Sequence, residues 1–383
     1  MFSSIYESPT EILIKKEINS NNGKLSFAQY MDICLTNSNS GYYSTKDLAW
    51  NRFGDYQTSP EVHYLFGYLW AQQIYECLIN IDKTKTIDLI EIGGGSGVFM
   101  ANIANWLKNK DEHIFNNITI TLIDVSKKRL SNQKQLLESF NINASYMTLD
   151  DFINSTKKIN GVIITNEFFD CLPVNLIKQK NNTLYEIYVV TSGKNKLEYS
   201  EQLLEDKKIT NFIEKMNLNL FNDCIVEIPI NTFNKIQKIA EKINSGYFIN
   251  IDYGDVASNL IQPWRKQGTY KAITRHMIED PLVRPGEIDI TADVNFSLLQ
   301  KALEEKNMIV NPIITQWEAL SNLGIFEIYK NSKDINVFNS AEYLNIKKAI
   351  ETLTEPEKLG KIKVQIASRS CPINNLSYLR KLI

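Results

Sequence analysis

Apolar residues first recur at helical spacing. Thr10-Glu11-Ile12-Leu13-Ile14-Lys15-Lys16-Glu17-Ile18 and Ser26-Phe27-Ala28-Gln29-Tyr30-Met31-Asp32-Ile33-Cys34-Leu35 each predict an amphipathic helix. After Gly41-Tyr42-Tyr43 comes a polar loop that ends in Gly54-Asp55-Tyr56-Gln57-Thr58-Ser59-Pro60. A third helix is predicted over 62–79, with Pro60 suited to its start and Thr58 or Ser59 to its cap. From about residue 86 the pattern changes to short apolar runs alternating with helices. Strands are predicted over 87–92, 118–123 (closed by Asp124), 161–165 and 247–252, and helices over 98–107 and 127–140. This alternation implies βαβ units, hence an α/β fold with a doubly wound, mostly parallel sheet.

Two stretches interrupt the alternation. Residues 184–190 and 197–200 read as a strand pair joined by Ser192-Gly193-Lys194-Asn195. Residues 256–290 carry Pro263, Gly268, Pro281, Pro285 and Gly286 and read as one long loop, the kind that serves as a lid or binding segment. The organisation expected is an N-terminal helical extension (1–85) and a first part of the sheet domain (86–182). A hairpin and helical insertion (183–222), a continuation of the sheet (223–255), a lid or substrate-binding insertion (256–300) and a C-terminal part closing the sheet (301–383) follow.

Composition narrows the function. The 42 basic and 44 acidic side chains nearly cancel, and no Lys/Arg stripe interleaved with aromatics stands out, which argues against nucleic acid as a partner. The five cysteines are scattered without a CxxC pair, so no disulfide framework or zinc site is expected. The first twenty residues lack the pattern of a secretory signal or transit peptide, and no apolar run approaches the ~20 residues of a membrane span. A cytoplasmic location is therefore expected, and a mitochondrial matrix one only with a presequence absent from this sequence.

The chemistry concentrates at Glu91-Ile92-Gly93-Gly94-Gly95-Ser96-Gly97, where a strand runs through glycines into a helix. Glycine is needed where a side chain would collide with a ligand or φ must be positive. Two nucleotide chemistries use the device. A dinucleotide fold wants G-x-G-x-x-G. Here the glycines follow as Gly93, Gly95 and Gly97, and Val98 stands where a dinucleotide fingerprint has its last glycine. Glu91 precedes the turn, and S-adenosylmethionine, with a zwitterionic methionine end and no phosphate, tolerates an acidic neighbour there. Asp124, ending the next strand, is placed to accept hydrogen bonds from ribose hydroxyls. Each of these residues could also be structural, as a turn or a cap.

Several ordered segments carry a family resemblance: Gly41-Tyr42-Tyr43; Gly54-Asp55-Tyr56-Gln57-Thr58-Ser59-Pro60-Glu61 with Phe66-Gly67; the glycine turn; Asn166-Glu167-Phe168-Phe169-Asp170-Cys171-Leu172-Pro173-Val174; and Ile251-Asp252-Tyr253-Gly254. Further on stand Gly268-Thr269-Tyr270, His276, Asp280-Pro281-Leu282, Pro285-Gly286, Asp289-Ile290-Thr291-Ala292-Asp293-Val294-Asn295-Phe296 and Leu359-Gly360 before Lys363-Val364. On these, over nearly its whole length, the chain resembles the MidA family of methyltransferases. The resemblance implies a class I methyltransferase fold, Rossmann-like, with an N-terminal helical extension and inserted lid and hairpin segments. It implies S-adenosyl-L-methionine as cofactor and methyl transfer to nitrogen, with a protein arginine as the best-described acceptor. Two departures stand out. The family usually has Gly-Pro-Gly-Arg-Gly at the turn, where this chain has Gly93-Gly94-Gly95-Ser96-Gly97; and it often has Glu-x-Ser-Pro where this chain has Asp124-Val125-Ser126-Lys127.

The expected cofactor contacts are Thr58, Ser59, Pro60, Glu91, Gly93, Gly95, Gly97, Asp124, Asp151 and Asn166. An arginine acceptor must be held as a cation and must lose a proton around the transfer, and carboxylates do both. Glu167 and Asp170 are therefore expected to clamp the acceptor, with Asp252 or His276 assisting proton removal. The bland alternatives are that Glu167 and Asp170 are solvated loop positions, that His276 makes a structural hydrogen bond, and that Asp289 and Asp293 merely order the lid. Phe168, Phe169 and Phe296 are expected to pack. Three functions stay open: protein arginine N-methylation, N- or O-methylation of a small molecule or peptide, and a non-catalytic assembly factor that binds the cofactor and a partner protein.

Overall fold

The computed structural model describes residues 7–45, 58–82, 86–193, 195–274, 277–334 and 340–380. The chain forms two compact units, Trp50–Phe168 with Ile236–Tyr253 and Gln300–Ile383, and Met1–Ala49 with Phe169–Lys235 and Gly254–Leu299.

The first unit is built on an eight-stranded sheet: β1 (Ile87–Ile92), β2 (Ile118–Asp124), β3 (Ser145–Thr148), β4 (Ile159–Asn166), β5 (Ile243–Asp252), β6 (Ile309–Val310), β7 (Ile314–Thr315) and β8 (Lys363–Arg369). Every residue of β1 is buried, as expected of a strand covered on both faces. The order is β6-β8-β5-β4-β1-β2-β3, with β7 also on β8. From β3 to β5 the neighbours are parallel, and β8 returns antiparallel beside β5. The chain leaves β1 toward β2 and β3, then crosses back to lay β4 on the other side of β1. Strand order thus reverses between β1 and β4, and in open α/β sheets ligands bind outside the carboxyl ends at that point. Helices α1 (Ser59–Val62), α2 (Tyr64–Ile79), α3 (Val98–Lys110) and α4 (Lys127–Ser139) belong to this unit. Its core joins Phe66, Leu69 and Trp70 of α2, Phe99 and Ile103 of α3, and Leu89, Val162 and Ile249 of the sheet. The helix expected over 62–79 is present as α2, and the short α1 stands apart from it because His63 is extended and its Nδ1 accepts the Leu65 N–H at 3.3 Å to start α2.

The second unit holds an antiparallel sheet in the order Lys24–Ser26, Thr183–Thr191, Asn175–Lys180, Ile225–Ile228, with Leu197–Leu203 also on Thr183–Thr191. The expected strand pair is therefore present, but as part of a larger sheet. Ser26 caps the Phe27–Thr36 helix in a reciprocal capping box with Gln29. Phe27, Tyr30 and Leu35 of that helix share a core with Leu176, Val189 and Ile290. Residues 256–290 are not one long loop. They contain a short helix, Ala257–Leu260, and contribute to a three-stranded antiparallel sheet of Met277–Glu279, Lys271–Thr274 and Asp289–Thr291. Residues 223–255 also divide, since Ile225–Ile228 pairs in the second unit's sheet and only β5 continues the parallel one. Residues 1–85 divide likewise, the Pro9–Ser20 and Phe27–Thr36 helices belonging to the second unit and α1 and α2 to the first. No described helix is long and apolar enough to cross a membrane.

Three backbones meet at Gly161, which pairs with Asp88 on β1 and Gly246 on β5. A Cβ at Gly161 would lie 1.8 Å from the Asp88 carbonyl oxygen. Gly161→Ala is expected to cost about 3 kcal/mol of stability, read as a lowered urea midpoint. An unchanged midpoint would contradict this close approach.

Candidate functional site

The glycine turn leaves β1 at the point of strand reversal. The Gly93 N–H donates to the Ile123 carbonyl of β2 at 2.8 Å, and the Gly97 N–H donates to the Gly94 carbonyl at 2.8 Å. Gly93, Gly95 and Gly97 all have positive φ (77°, 56° and 89°), a conformation that costs little only without a Cβ. A Cβ on Gly93 would also sit 2.6 Å from the Phe168 ring, so Phe168 packs under the turn as expected. Gly97 caps α3 in the left-handed conformation.

Beneath this turn lies Glu91, 2% exposed. Burial pushes its carboxyl up to about 8; the Met100 N–H opposes the shift and the charge of Asp124 adds to it. Its Oε2 has no hydrogen-bond partner among the described residues and lies 3.0 Å from where a Gly94 Cβ would be. An acceptor buried without a donor is uncommon, and here it faces backbone stripped of side chains. Asp124, at the end of β2, is buried too. Burial raises its pKa, against Arg129, the Ser126 and Val125 N–H groups and Gln133. Its Oδ1 accepts the Ser126 N–H at 3.1 Å and its Oδ2 accepts Gln133 Nε2 at 3.2 Å. The same Nε2 donates to the Gly95 carbonyl at 3.1 Å, so Gln133 ties the turn to Asp124. Sequence reasoning passed over Gln133. Its signal was a lone amide on the buried stripe of α4, between Leu130 and Leu137.

On the other side of the reversal, β4 ends in Asn166 and the chain turns at Glu167, whose φ of 48° is rare for a residue with a side chain. The Glu167 N–H donates to the Ile251 carbonyl at 2.8 Å. Its Oε1 accepts both the Ser59 N–H and Asn166 Nδ2 at 3.1 Å. Asp252, 0% exposed at the end of β5, accepts the Phe168 N–H at 3.1 Å on Oδ2 and the Tyr253 N–H at 2.9 Å on Oδ1. Both its oxygens thus hold backbone, and it fixes the turn that carries Glu167.

Thr58, Ser59 and Pro60 are buried at the start of α1. Thr58 holds the N-cap position without a side-chain cap bond, and Ser59 Oγ donates to Gln316 Oε1 at 3.0 Å. Glu61 of α1, to which the sequence assigned no role, accepts a hydrogen bond from Ser96 Oγ of the glycine turn. Ser96 therefore joins α1 to the turn. Asp151 is exposed, with its Oδ2 accepting the Thr148 hydroxyl at 2.6 Å beside the cap of a short helix. Asp170 is buried in the second unit, where its carbonyl accepts the Ala292 N–H at 2.8 Å. Asp289 accepts the Tyr43 hydroxyl at 2.7 Å, a tie to another element rather than a local turn bond. Phe296 is core. His276 lies outside the described residues.

The donor set fits S-adenosylmethionine: an orphaned carboxylate oxygen for a cationic ammonium, a glycine cradle for close backbone approach, and an acid on the neighbouring strand for hydroxyls. The sequence model of a family of S-adenosyl-L-methionine-dependent methyltransferases matches residues 69–314. A Danio rerio protein named protein arginine methyltransferase NDUFAF7, mitochondrial, is 27% identical, with 94% of this chain and 86% of the relative covered. The Homo sapiens protein of that name is 26% identical over 79% of this chain and 70% of its own. A solved structure of a COG1565 superfamily member from Burkholderia thailandensis, bound to S-adenosyl-homocysteine, shares the fold with a TM-score of 0.84. It is 21% identical and covers 97% of this chain and 94% of that one. The expected class I fold stands. The cytoplasmic expectation does not, because the named relatives are mitochondrial proteins.

Glu91 gives the site a pH signature. Its folded pKa of about 8 lies above the ordinary 4.5, so between these values the folded chain holds a proton the unfolded chain has lost. Stability from this group therefore falls as pH rises through that window. The thermal midpoint is expected to drop from pH 5 to pH 8 less steeply in Glu91→Gln than in the unsubstituted protein. Equal slopes would remove Glu91 from the account.

Proposed function

The chain belongs to the MidA-type family of S-adenosyl-L-methionine-dependent methyltransferases, and from that premise we propose that it methylates a side-chain nitrogen of arginine in a protein partner. The observation that carries the choice of acceptor is that relatives matching 79% or more of this chain, such as the two described above, are named protein arginine methyltransferases. The acidic end of β4 suits that acceptor.

S-adenosylmethionine, when bound, supplies an electrophilic methyl group on sulfur. Glu91, the Gly93–Gly97 turn and Asp124 are the residues to hold it, Glu91 facing the ammonium and Asp124 the ribose. Thr58, Ser59 and Pro60 line the approach through α1, and Asp151 offers a further polar contact beyond β3. Glu167 is the acceptor's carboxylate. An anionic oxygen attracts the guanidinium, and its backbone strain is sustained because Ile251, Ser59 and Asn166 all hold it. Catalysis here is chiefly positioning, since displacement needs the nucleophilic nitrogen in line behind the methyl group. Glu167 also receives the proton the nitrogen sheds, because Asp252 is committed to the Phe168 and Tyr253 N–H groups and acts as a positioning residue.

The test is Glu167→Gln, which keeps an acceptor for the Ser59 and Asn166 donors and removes only the charge. With labelled cofactor and arginine-bearing protein, kcat is expected to fall about 100-fold. Calorimetry with S-adenosyl-homocysteine should show affinity changed less than about twofold. Full turnover by the variant would sink the role of Glu167. Labelled product without methylarginine would sink the acceptor.

A further inference from the structure

The end of β4 carries a second unmet acceptor. Asn166 is 8% exposed, and its amide orientation follows from chemistry: Nδ2 lies 3.1 Å from Glu167 Oε1, and an ionised carboxylate can only accept. Since Glu167 Oε1 is itself held by the Ser59 N–H, the amide is locked and Oδ1 must point elsewhere. That oxygen has no hydrogen-bond partner among the described residues. Its counterpart across the reversal is Glu91 Oε2, also buried and unpartnered. Register brings the two strand ends together, because Ile92 pairs with Thr165, the residue before Asn166.

Two buried acceptors lacking donors at adjacent strand ends call for ligands that bring N–H or O–H groups. The two are not equivalent. Glu91 lies under Gly94, where backbone approach is closest, and can become an anion, so it suits a cation held at the glycine turn. Asn166 is neutral, belongs to the other strand, and is bonded to the carboxylate proposed to hold the acceptor. We infer that Asn166 Oδ1 accepts an N–H of the methyl acceptor, fixing the direction in which its nitrogen faces while Glu167 holds its charge. A side-chain amide is too weak a base to take a proton, so this contact orients the nitrogen and leaves proton removal to Glu167. It makes Asn166 a residue that selects nitrogen acceptors with a spare N–H. The inference rests on the function proposed above and reassigns a residue expected among the cofactor contacts.

The test uses the full chain with Asn166→Ala, and Asn166→Ser as a second variant should alanine fail to fold, both checked by thermal midpoint. Affinity for S-adenosyl-homocysteine is measured first, by calorimetry. Peptides ending the side chain in a guanidinium, an amine or a hydroxyl are then titrated into the saturated complex and assayed for methylation. The expected result is S-adenosyl-homocysteine affinity within about threefold of the unsubstituted protein. Binding of the nitrogen peptide should weaken about tenfold or more, and kcat should fall with it. Loss of S-adenosyl-homocysteine affinity with peptide binding intact would overturn the inference and return Asn166 to the cofactor. Unchanged constants throughout would overturn it as well. If the unsubstituted protein methylates the amine but not the guanidinium, the arginine reading fails alone, and Asn166 is judged on the amine. Methylation of the hydroxyl alone, or of none of the three, overturns both.

Discussion

The reversal of strand order between β1 and β4 is the constraint on which the site depends. A sheet that grows in one direction and then in the other cannot cover the carboxyl ends of its two central strands with the same crossover, and a crevice is left there. The residues proposed to hold cofactor and acceptor stand at those strand ends. β1 delivers the glycine turn and Glu91, β2 delivers Asp124, and β4 delivers Asn166 and Glu167. Core packing holds these strand ends in place: Leu89, Val162 and Ile249 of three adjacent strands share one cluster with α2 and α3.

The site is kept at a cost in free energy. Two carboxyl groups, Glu91 and Asp124, are buried on neighbouring strands, both with raised pKa and close enough for Asp124 to influence Glu91. Three residues of the turn take positive φ, and so does Glu167, which has no glycine's freedom. Concentrations of strain and unmet hydrogen bonding of this kind persist where surrounding contacts over-determine them. Here those contacts can be named. Gln133 bridges Gly95 and Asp124, Glu61 receives Ser96, Asp252 holds two backbone N–H groups, and Ser59 with Asn166 fixes one oxygen of Glu167.

Ser96 makes two local hydrogen bonds. Ser96 Oγ accepts the Val98 N–H at 3.2 Å at the opening of α3 while donating to Glu61. One short side chain thus serves both as a stop for an unpaired helix N–H and as a link to α1. Burial raises the Glu61 pKa and the Ser96 hydroxyl lowers it.

Local pattern was enough for part of this protein. The strands at 87–92 and 118–124, the helices that follow them, and the glycine turn with its flanking acids were legible because continuous apolar runs, helical periodicity and glycine spacing are written over short distances. The family resemblance supplied the cofactor. What the sequence hid were features fixed by partners far along the chain. Asn175–Lys180 and Ser145–Thr148 are too polar and short to read as strands alone and exist because neighbouring strands complete their hydrogen bonds. Residues 256–290 read as loop from their prolines and glycines, yet Lys271–Thr274 finds strands on both sides. The role of Gln133 is fixed by packing that brings its amide to Asp124 and Gly95. How each acid is held was likewise beyond the sequence. Glu91, Asp124, Glu167 and Asp252 are alike as residue types, and only tertiary burial and hydrogen bonding show that Asp252 holds two backbone N–H groups while one oxygen of Glu91 is left without a partner among the described residues.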